Sequence, residues 1–242
     1  MSLSEEEIKQ LHTNFRVVRE CEILDKIPFE IKSTTMKEEL EIATVYDQMG
    51  EDFLEEYFNS ELNRKVAETT LVSFNHQKFE DVKTAIDKFS TKKIELIVEE
   101  YKQLSQDIEE YLNGFDTKEL DKSEVEEFII TDQIKRTSTF KGDKDLTISY
   151  KVLNSKEYNE AISDVKDKIS SLDNISVMHK DVFQQLKMAE KLIIGLNGKK
   201  PKNVENIGAE ITRFVTQRAQ KLQDEIFETL NDGEKLRDGL KN

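Results

Sequence analysis

The feature that most constrains this chain is a pattern of helix starts and strand-like stretches that occurs twice. Ser4 is followed three residues later by Glu7, and Ser123 is followed in the same way by Glu126, at an offset of 123 − 4 = 119 residues. In such a capping box the serine oxygen accepts a first-turn amide and the glutamate accepts the cap amide. Each pair therefore predicts a helix start, and the recurrence predicts two related units.

The stretches after these two starts correspond as well. Residues 16–24 and 27–31 read as two β-strands, and residues 135–140 and 146–150 read as a second pair with alternating apolar positions. Each pair predicts a hairpin with one buried face. Two more helix starts follow at the same offset, one with Thr35 and Glu38 and the other with Asn154 and Glu157. At this offset Leu11 and Phe15 correspond to Ile130 and Ile134.

A long amphipathic helix is predicted at the end of each half. Apolar residues recur at spacings of three and four, which is the period of one helix face. The two stripes are Ile97, Tyr101, Leu104, Ile108 and Leu112 in the first half, and Val215, Ala219, Leu222, Ile226 and Leu230 in the second. Asn113 with Gly114, and Asn231 with Gly233, predict where these helices end. A second correspondence, between the hairpin and the long helix, pairs Ala67, Leu71, Phe74 and Asn75 with Ala189, Ile193, Leu196 and Asn197.

These patterns together predict a mainly α fold with small β-hairpins (α+β), built from two degenerate tandem repeats of a capped helix–hairpin–helices unit. The predicted domains are residues 1–118 and 119–242, joined between Gly114 and Ser123. The alternative is that two helical stretches of period 3.6 resemble each other by chance.

Composition excludes several classes of partner. The formal net charge of −14 opposes binding to DNA, RNA and anionic lipid, because each of these requires clustered cations. No apolar run approaches the roughly 18 residues needed to cross a bilayer. Cys21 is the single cysteine, so no intrachain disulfide can form. We therefore expect neither a nucleic acid nor a membrane as partner.

No motif with catalytic or metal-binding chemistry stands out. His12, His76 and His179 lie far apart in the sequence, and we interpret all three as surface residues. Neither a phosphate-binding glycine loop nor a nucleophile motif occurs. The sequence therefore predicts a protein that is not an enzyme, with no catalytic residues, no cofactor and no metal requirement.

Two segments of the first half resemble a known group of proteins. One runs from Ile27 to Ile42, a strand that leads into an acidic, capped helix with the letters KEEL. The other comprises residues 70–79 and 94–104, in which a turn precedes a helix containing Tyr101 and Leu104. These segments resemble the tail-assembly chaperones and baseplate hub assembly proteins of long-tailed bacteriophages. The resemblance covers about half of the first unit and, more weakly, the matching parts of the second.

This resemblance implies a non-enzymatic assembly protein that acts by contacts with other phage tail or baseplate proteins. It implies a location in the host cytoplasm during assembly, with retention in the virion tail as an alternative. Two other functions stay open at this point: a structural subunit of the tail or baseplate, and a cellular helical adaptor or scaffold protein. A homo-oligomer is also compatible with the sequence.

The outer strands of the predicted hairpins are candidate binding surfaces. An edge strand has unpaired amides and carbonyls that can recruit another strand. The candidate partner-binding residues are Val17, Val18 and Ile23 in the first unit and Phe140 in the second. Proline at Val18 is expected to remove one ladder donor. The competing interpretation is that the two outer strands pair with each other.

Overall fold

The computed structural model describes residues 2–23, 26–48, 55–114, 120–170 and 175–239, with backbone alone for 232–239. The described chain is mainly helical and contains two small antiparallel sheets, so the predicted fold class is confirmed. The first unit contains α1 (Glu5–Asn14), β1 (Val18–Ile23), β2 (Ile27–Lys32), α2 (Met36–Asp47), α3 (Glu55–Thr70), β3 (Leu71–Phe74), β4 (Gln77–Lys78), α4 (Val82–Ile86) and α5 (Thr91–Asn113). The second contains α6 (Lys122–Thr131), β5 (Lys135–Phe140), β6 (Leu146–Lys151), α7 (Ser155–Ser170), α8 (Val177–Leu192), β7 (Ile193–Leu196), a 3-10 turn (Val204–Asn206) and α9 (Ala209–Gly239).

The two units share one order of elements (helix, two strands, two helices, a strand, a long helix) with the same strand register. Within the described residues, β4 and α4 occur only in the first unit and the 3-10 turn only in the second. Val18 lies opposite Lys32 in the first hairpin, and Lys135 lies opposite Lys151 in the second. Each hairpin gains a third strand, which gives the orders β1-β2-β3-β4 and β5-β6-β7. The register of this third strand shifts at the corresponding place in both sheets, between residues 30 and 31 and between residues 149 and 150.

The third strands, β3 and β7, were missed at the sequence level. Each ends in a turn with a left-handed asparagine, Asn75 at φ 50° and Asn197 at φ 48°. Gly198 follows Asn197 at φ 74°. An Asn-Gly pair between apolar runs is a strong hairpin signal, because both residues tolerate positive φ. That signal could have identified β7 and, through the repeat, β3.

The cap of the second unit lies two residues earlier than predicted. Asp121, rather than Ser123, accepts the amide of Glu124, and Glu124 accepts the amide of Asp121. The Ser123 hydroxyl instead donates to the Asp121 carboxylate. The offset here is therefore 121 − 4 = 117 residues.

With this offset, the predicted pairing of Leu11 and Phe15 with Ile130 and Ile134 is wrong. Phe15 corresponds to Asp132, since both are left-handed C-caps. Ile130 is 81 % exposed.

The other helix boundaries test the predicted starts and stops. Thr35 caps α2 with Glu38, and Asn154 exchanges the equivalent hydrogen bonds with Glu157 at the start of α7. The long helix α5 ends at Asn113 as predicted. The predicted stop at Asn231 is wrong, because α9 continues to Gly239. A glycine inside a helix costs only about 1 kcal/mol relative to alanine, which is too little to end a helix of this length.

The hydrophobic core is shared by the two units. Residues of both stripes are buried, including Ile97, Leu104 and Ile108 in α5 and Val215 in α9. One cluster contains these residues together with the inner faces of both sheets. Across the units, α2 packs against α8 and α5 packs against α9. The boundary between residues 118 and 119 falls outside the described residues and stays a prediction.

Candidate protein-binding site

Strand β1 forms one edge of the first sheet, and β5 forms one edge of the second. They belong to separate sheets, so the interpretation in which they pair with each other is wrong. Val17, Val18 and Ile23 lie in or next to β1, whereas Phe140 ends β5. The four predicted residues therefore do not form one site.

The side chains of Val17 and Phe140 are buried and face the core. Phe140 packs edge-on against Phe214, with ring centroids 5.7 Å apart. Val18 is 38 % exposed, and Ile23 is half-buried against the core cluster. Among the four predicted side chains, only those of Val18 and Ile23 are therefore accessible to a partner.

The backbone groups of β1 that face outward follow from the ladder. The Ser33 amide donates to the Val17 carbonyl, which makes residues 17 and 33 a hydrogen-bonded pair. Hydrogen-bonded pairs alternate in an antiparallel ladder. The amides of Val18, Glu20 and Glu22 therefore point away from β2.

The expectation that Val18 supplies a ladder donor is wrong. Its amide donates to the side-chain oxygen of Gln10 at 2.7 Å, which covers the edge at this point. The outward amides of Glu20 and Glu22 form no hydrogen bond that the structure describes. Both side chains are exposed, so the accessible part of this edge lies at these two glutamates.

A second candidate surface is the contact where the second unit inserts a segment into the first. We call this contact the interunit seam; it comprises residues 207–213 against Phe15, Thr34–Met36, Glu39, Ser105 and Glu109. The Ala209 amide donates to the Thr34 carbonyl at 2.9 Å, and the Met36 amide donates to the Ile207 carbonyl at 3.3 Å. A Cβ on Gly208 would overlap the carbonyl oxygen of Phe15, so only glycine fits there.

The seam continues with a partly buried polar network at the start of α9, in which the Glu210 side chain is fully buried. Arg213 donates to Glu109 at 2.7 Å and to Ser105 at 3.2 Å, and its guanidinium lies 3.9 Å from Glu39. The Ser105 hydroxyl donates to Glu210 at 2.9 Å. Burial raises the pKa of Glu210 to about 7, against the opposing effect of Arg213. The network joins groups of both units, so it holds the two units together rather than forming an open site.

Two histidines also link the units. His12 is 2 % exposed, so the interpretation of all three histidines as surface residues is wrong for this one. Its ring contacts the Lys144 carbonyl and the Tyr111 hydroxyl, both at 2.7 Å. His179 contacts Asp47 at 2.6 Å. Burial alone would raise the pKa of Asp47, but hydrogen bonds from Ser176 and His179 hold it below its ordinary value.

The remaining groups with reactive chemistry are inert or dispersed. Burial raises the pKa of the Cys21 thiol to about 12, so the nucleophilic thiolate is not formed at neutral pH. Within the described residues no cluster of three or more histidine, cysteine or carboxylate side chains could hold a metal ion. None of the described helices combines the length and the apolar character needed to cross a membrane.

A groove of about 670 Å³ lies on the second unit between α6, α7 and α9. We call it the Tyr158 groove. Tyr158 and Phe227 stand on its walls, and they are 44 % and 47 % exposed. Two half-exposed aromatic side chains around one groove are typical of a surface that binds a protein.

Comparison of the chain with protein-family models, with curated proteins and with solved structures found no match.

Proposed function

We propose that this protein is a non-enzymatic assembly protein that acts by binding other proteins. The observation that carries the proposal is the accessible edge of β1, where Glu20 and Glu22 present outward amides next to exposed side chains. Strand addition to such an edge is a recurrent mode of protein recognition. The acidic surface and the inert Cys21 thiol suit a binding role better than a catalytic one.

The proposed partners are tail or baseplate proteins of a long-tailed bacteriophage. What supports this assignment is the resemblance of residues 27–42, 70–79 and 94–104 to the assembly proteins of such phages. The protein would then act in the host cytoplasm during assembly. A structural subunit retained in the tail or baseplate and a cellular adaptor or scaffold are the alternative functions.

The edge is tested by a proline substitution and a matched control. Glu20→Pro removes an outward amide and leaves the inward ladder bonds of β1 in place, since proline is tolerated at the solvent side of an edge strand. Glu20→Thr removes the same charge but keeps the amide. Both variants are co-expressed with tail proteins encoded by neighbouring genes, and the affinity of each complex is measured.

We expect Glu20→Pro to weaken binding about tenfold or more, because a strand partner loses a backbone hydrogen bond and must accommodate the ring. Glu20→Thr should bind as the unchanged protein does. Equal affinity of the proline and threonine variants would exclude this edge as the contact.

The phage assignment has its own test. Mass spectrometry of purified particles distinguishes a retained subunit, which is found in them, from an assembly factor, which is not. A gene neighbourhood without any tail genes would instead favour the cellular adaptor.

A further inference from the structure

The Tyr158 groove corresponds to the surface of the first unit that binds residues 207–213. Asp132 has the left-handed conformation of Phe15, with φ 53° against 59°. Leu153, Asn154 and Ser155 hold the positions of Thr34, Thr35 and Met36, because Asn154 and Thr35 cap equivalent helices. All four second-unit residues line the groove. The backbone on one side of the groove is therefore a copy of one side of the seam.

On the other side of the groove, the residue positions correspond to those of the seam, but the side chains differ. Tyr158 stands in α7 where Glu39 stands in α2. Gln223 and Phe227 stand in α9 where Ser105 and Glu109 stand in α5, by the same register that pairs the two apolar stripes. These three residues also line the groove. Each first-unit residue of the seam thus has a counterpart in the groove.

We propose that the Tyr158 groove binds a segment of a partner protein in the geometry by which the first unit binds residues 207–213. This partner segment is a short extended stretch, a glycine, and then the first turn of an α-helix with apolar side chains. The inference rests on the proposed role in protein binding and adds a second binding surface, which lies in the other unit from the β1 edge.

Backbone groups in the groove are placed to accept such a segment. In the seam, Met36 is the first residue of α2 and uses its amide to hold Ile207. Ser155 is the first residue of α7, where an α-helix leaves the amide without an internal partner. The Leu153 carbonyl corresponds to the Thr34 carbonyl that accepts the Ala209 amide. Two backbone hydrogen bonds are therefore available in the same arrangement.

The requirement for glycine follows from Asp132 and excludes the start of α5 of a second copy in the same pose. The Asp132 carbonyl corresponds to the Phe15 carbonyl that a Cβ at position 208 would overlap. Within the first unit, Ser90 precedes α5 as Gly208 precedes α9. Ser90 carries a Cβ, so the start of α5 from another molecule cannot enter the groove in this pose.

The chemistry of the partner's helix follows from the exchanged side chains. In the seam, the carboxylates of Glu39 and Glu109 compensate the positive charge of Arg213. Tyr158 and Phe227 cannot neutralise that charge, but they offer apolar surface. The position occupied by Arg213, and the neighbouring position of Glu210, should therefore be apolar in the partner.

The probe is an 18-residue peptide with the sequence of residues 203–220 of this chain and the changes Glu210→Leu and Arg213→Leu. It is titrated into the full-length protein while the backbone amide signals of the protein are followed by NMR. We expect signals of the groove residues to shift. A second peptide that also carries Gly208→Ala should bind about tenfold more weakly or worse, because the added methyl meets a carbonyl.

A protein variant with Tyr158→Glu and Phe227→Glu restores the carboxylates of the seam. We expect it to prefer the unaltered peptide, with Arg213, over the leucine peptide, and to keep its melting temperature because both positions are half-exposed. Glu20→Pro should leave peptide binding unchanged. If the groove does not bind the peptide while the β1 edge still binds its partners, this inference is wrong and the proposed function is unaffected.

The inference is contradicted if the signals of the groove residues do not shift, if the glycine and alanine peptides bind equally, or if both proteins prefer the same peptide. Self-association in sedimentation velocity that Phe227→Glu abolishes would identify a second copy as the occupant and would also overturn it.

Discussion

The surface around Thr35 in the first unit is filled by residues 207–213, whereas the corresponding surface around Asn154 in the second unit is an open groove. The two surfaces share their backbone conformation and their helix caps. They differ at the three side chains that would meet the inserted helix: Glu39, Ser105 and Glu109 against Tyr158, Gln223 and Phe227. A repeated scaffold can thus be specialised by a few exchanges, one copy for holding its own chain and the other for binding a partner.

The largest expected difference in stability between the units concerns Arg19 and Arg136, which hold corresponding positions. Arg19 lies 2.5 Å from Glu7 and 2.8 Å from Asp107, and the Asp107 side chain is fully buried. We expect Arg19→Met to lower the free energy of unfolding by about 3–5 kcal/mol, because the charge that compensates two shielded carboxylates is lost.

Arg136, its counterpart, forms a two-pronged contact with Glu124 at 3.0 and 2.7 Å. Arg136→Met should cost less, about 2 kcal/mol, since the Glu124 side chain is 12 % exposed whereas that of Asp107 is fully buried. Urea unfolding of both variants measures the two costs. Equal losses would show that the full burial of Asp107 does not raise the cost of removing Arg19.

One component of the pH dependence of stability should come from Glu210. Its pKa is about 7 in the folded protein and 4.5 as the ordinary value, with burial as the main cause. The folded state therefore binds the proton more tightly, so this contribution is complete below pH 4.5 and is lost as pH rises to 7. We expect a loss of at most about 3 kcal/mol across this interval.

Glu210→Gln should remove this component, which is measured as the difference between the unfolding curves of the two proteins at several pH values. Lys92 precedes the stripe of α5 as Glu210 precedes that of α9, and it is exposed. Lys92→Gln is the matched control and should leave the pH dependence unchanged. A parallel pH profile for Glu210→Gln and the unchanged protein would contradict the buried titration.

The two residues that precede the long helices should differ in their tolerance of a methyl group. Gly208→Ala introduces a Cβ against the Phe15 carbonyl, and we expect a cost of about 2–3 kcal/mol. Ser90→Ala in the first unit removes only a cap to the Lys93 amide, at about 1 kcal/mol. Thermal and urea unfolding give both values. If Gly208→Ala does not lower the free energy of unfolding, the seam can separate at this point without a loss of stability.

The smallest expected losses of stability are those at two equivalent helix caps, and they should be nearly equal. Thr35→Ala and Asn154→Ala each remove the side-chain half of an equivalent cap, so each should cost about 1 kcal/mol. A large difference between these two costs would indicate that the two caps are not equivalent, which would weaken the counterpart assignments on which the groove depends.

The predictions from sequence succeeded where the signal is local. The Thr35 and Asn154 caps, the hairpins and the buried faces of α5 and α9 depend on residues that contact each other within a few positions. The predicted cap at Ser123 was wrong because Asp121, two residues earlier, is an equally good cap in the same local context. The predicted end of α9 was wrong because an asparagine and a glycine destabilise a helix without ending it.

The candidate binding surfaces were predicted only in part. Alternation identified the edge strands, but it could not show that Gln10 covers the Val18 amide, since the two residues meet through the packing of α1 on β1. Nor could it show that Val17 and Phe140 face the core. The Tyr158 groove was not predicted at all, because its lining comes from three helices and the residues at their ends, which lie in separate parts of the sequence.

The sequence by itself determined the elements and their repetition, because caps, turns and apolar periods act over one or two helical turns. The tertiary structure alone decided that the two units would share one core, that Gly208 would lie against Phe15, and that Glu210 would be buried with a raised pKa. The physical reason is that burial and close approach depend on which distant segment packs at a given place. Two copies of the same local pattern can therefore have different neighbours, as Thr35 and Asn154 do.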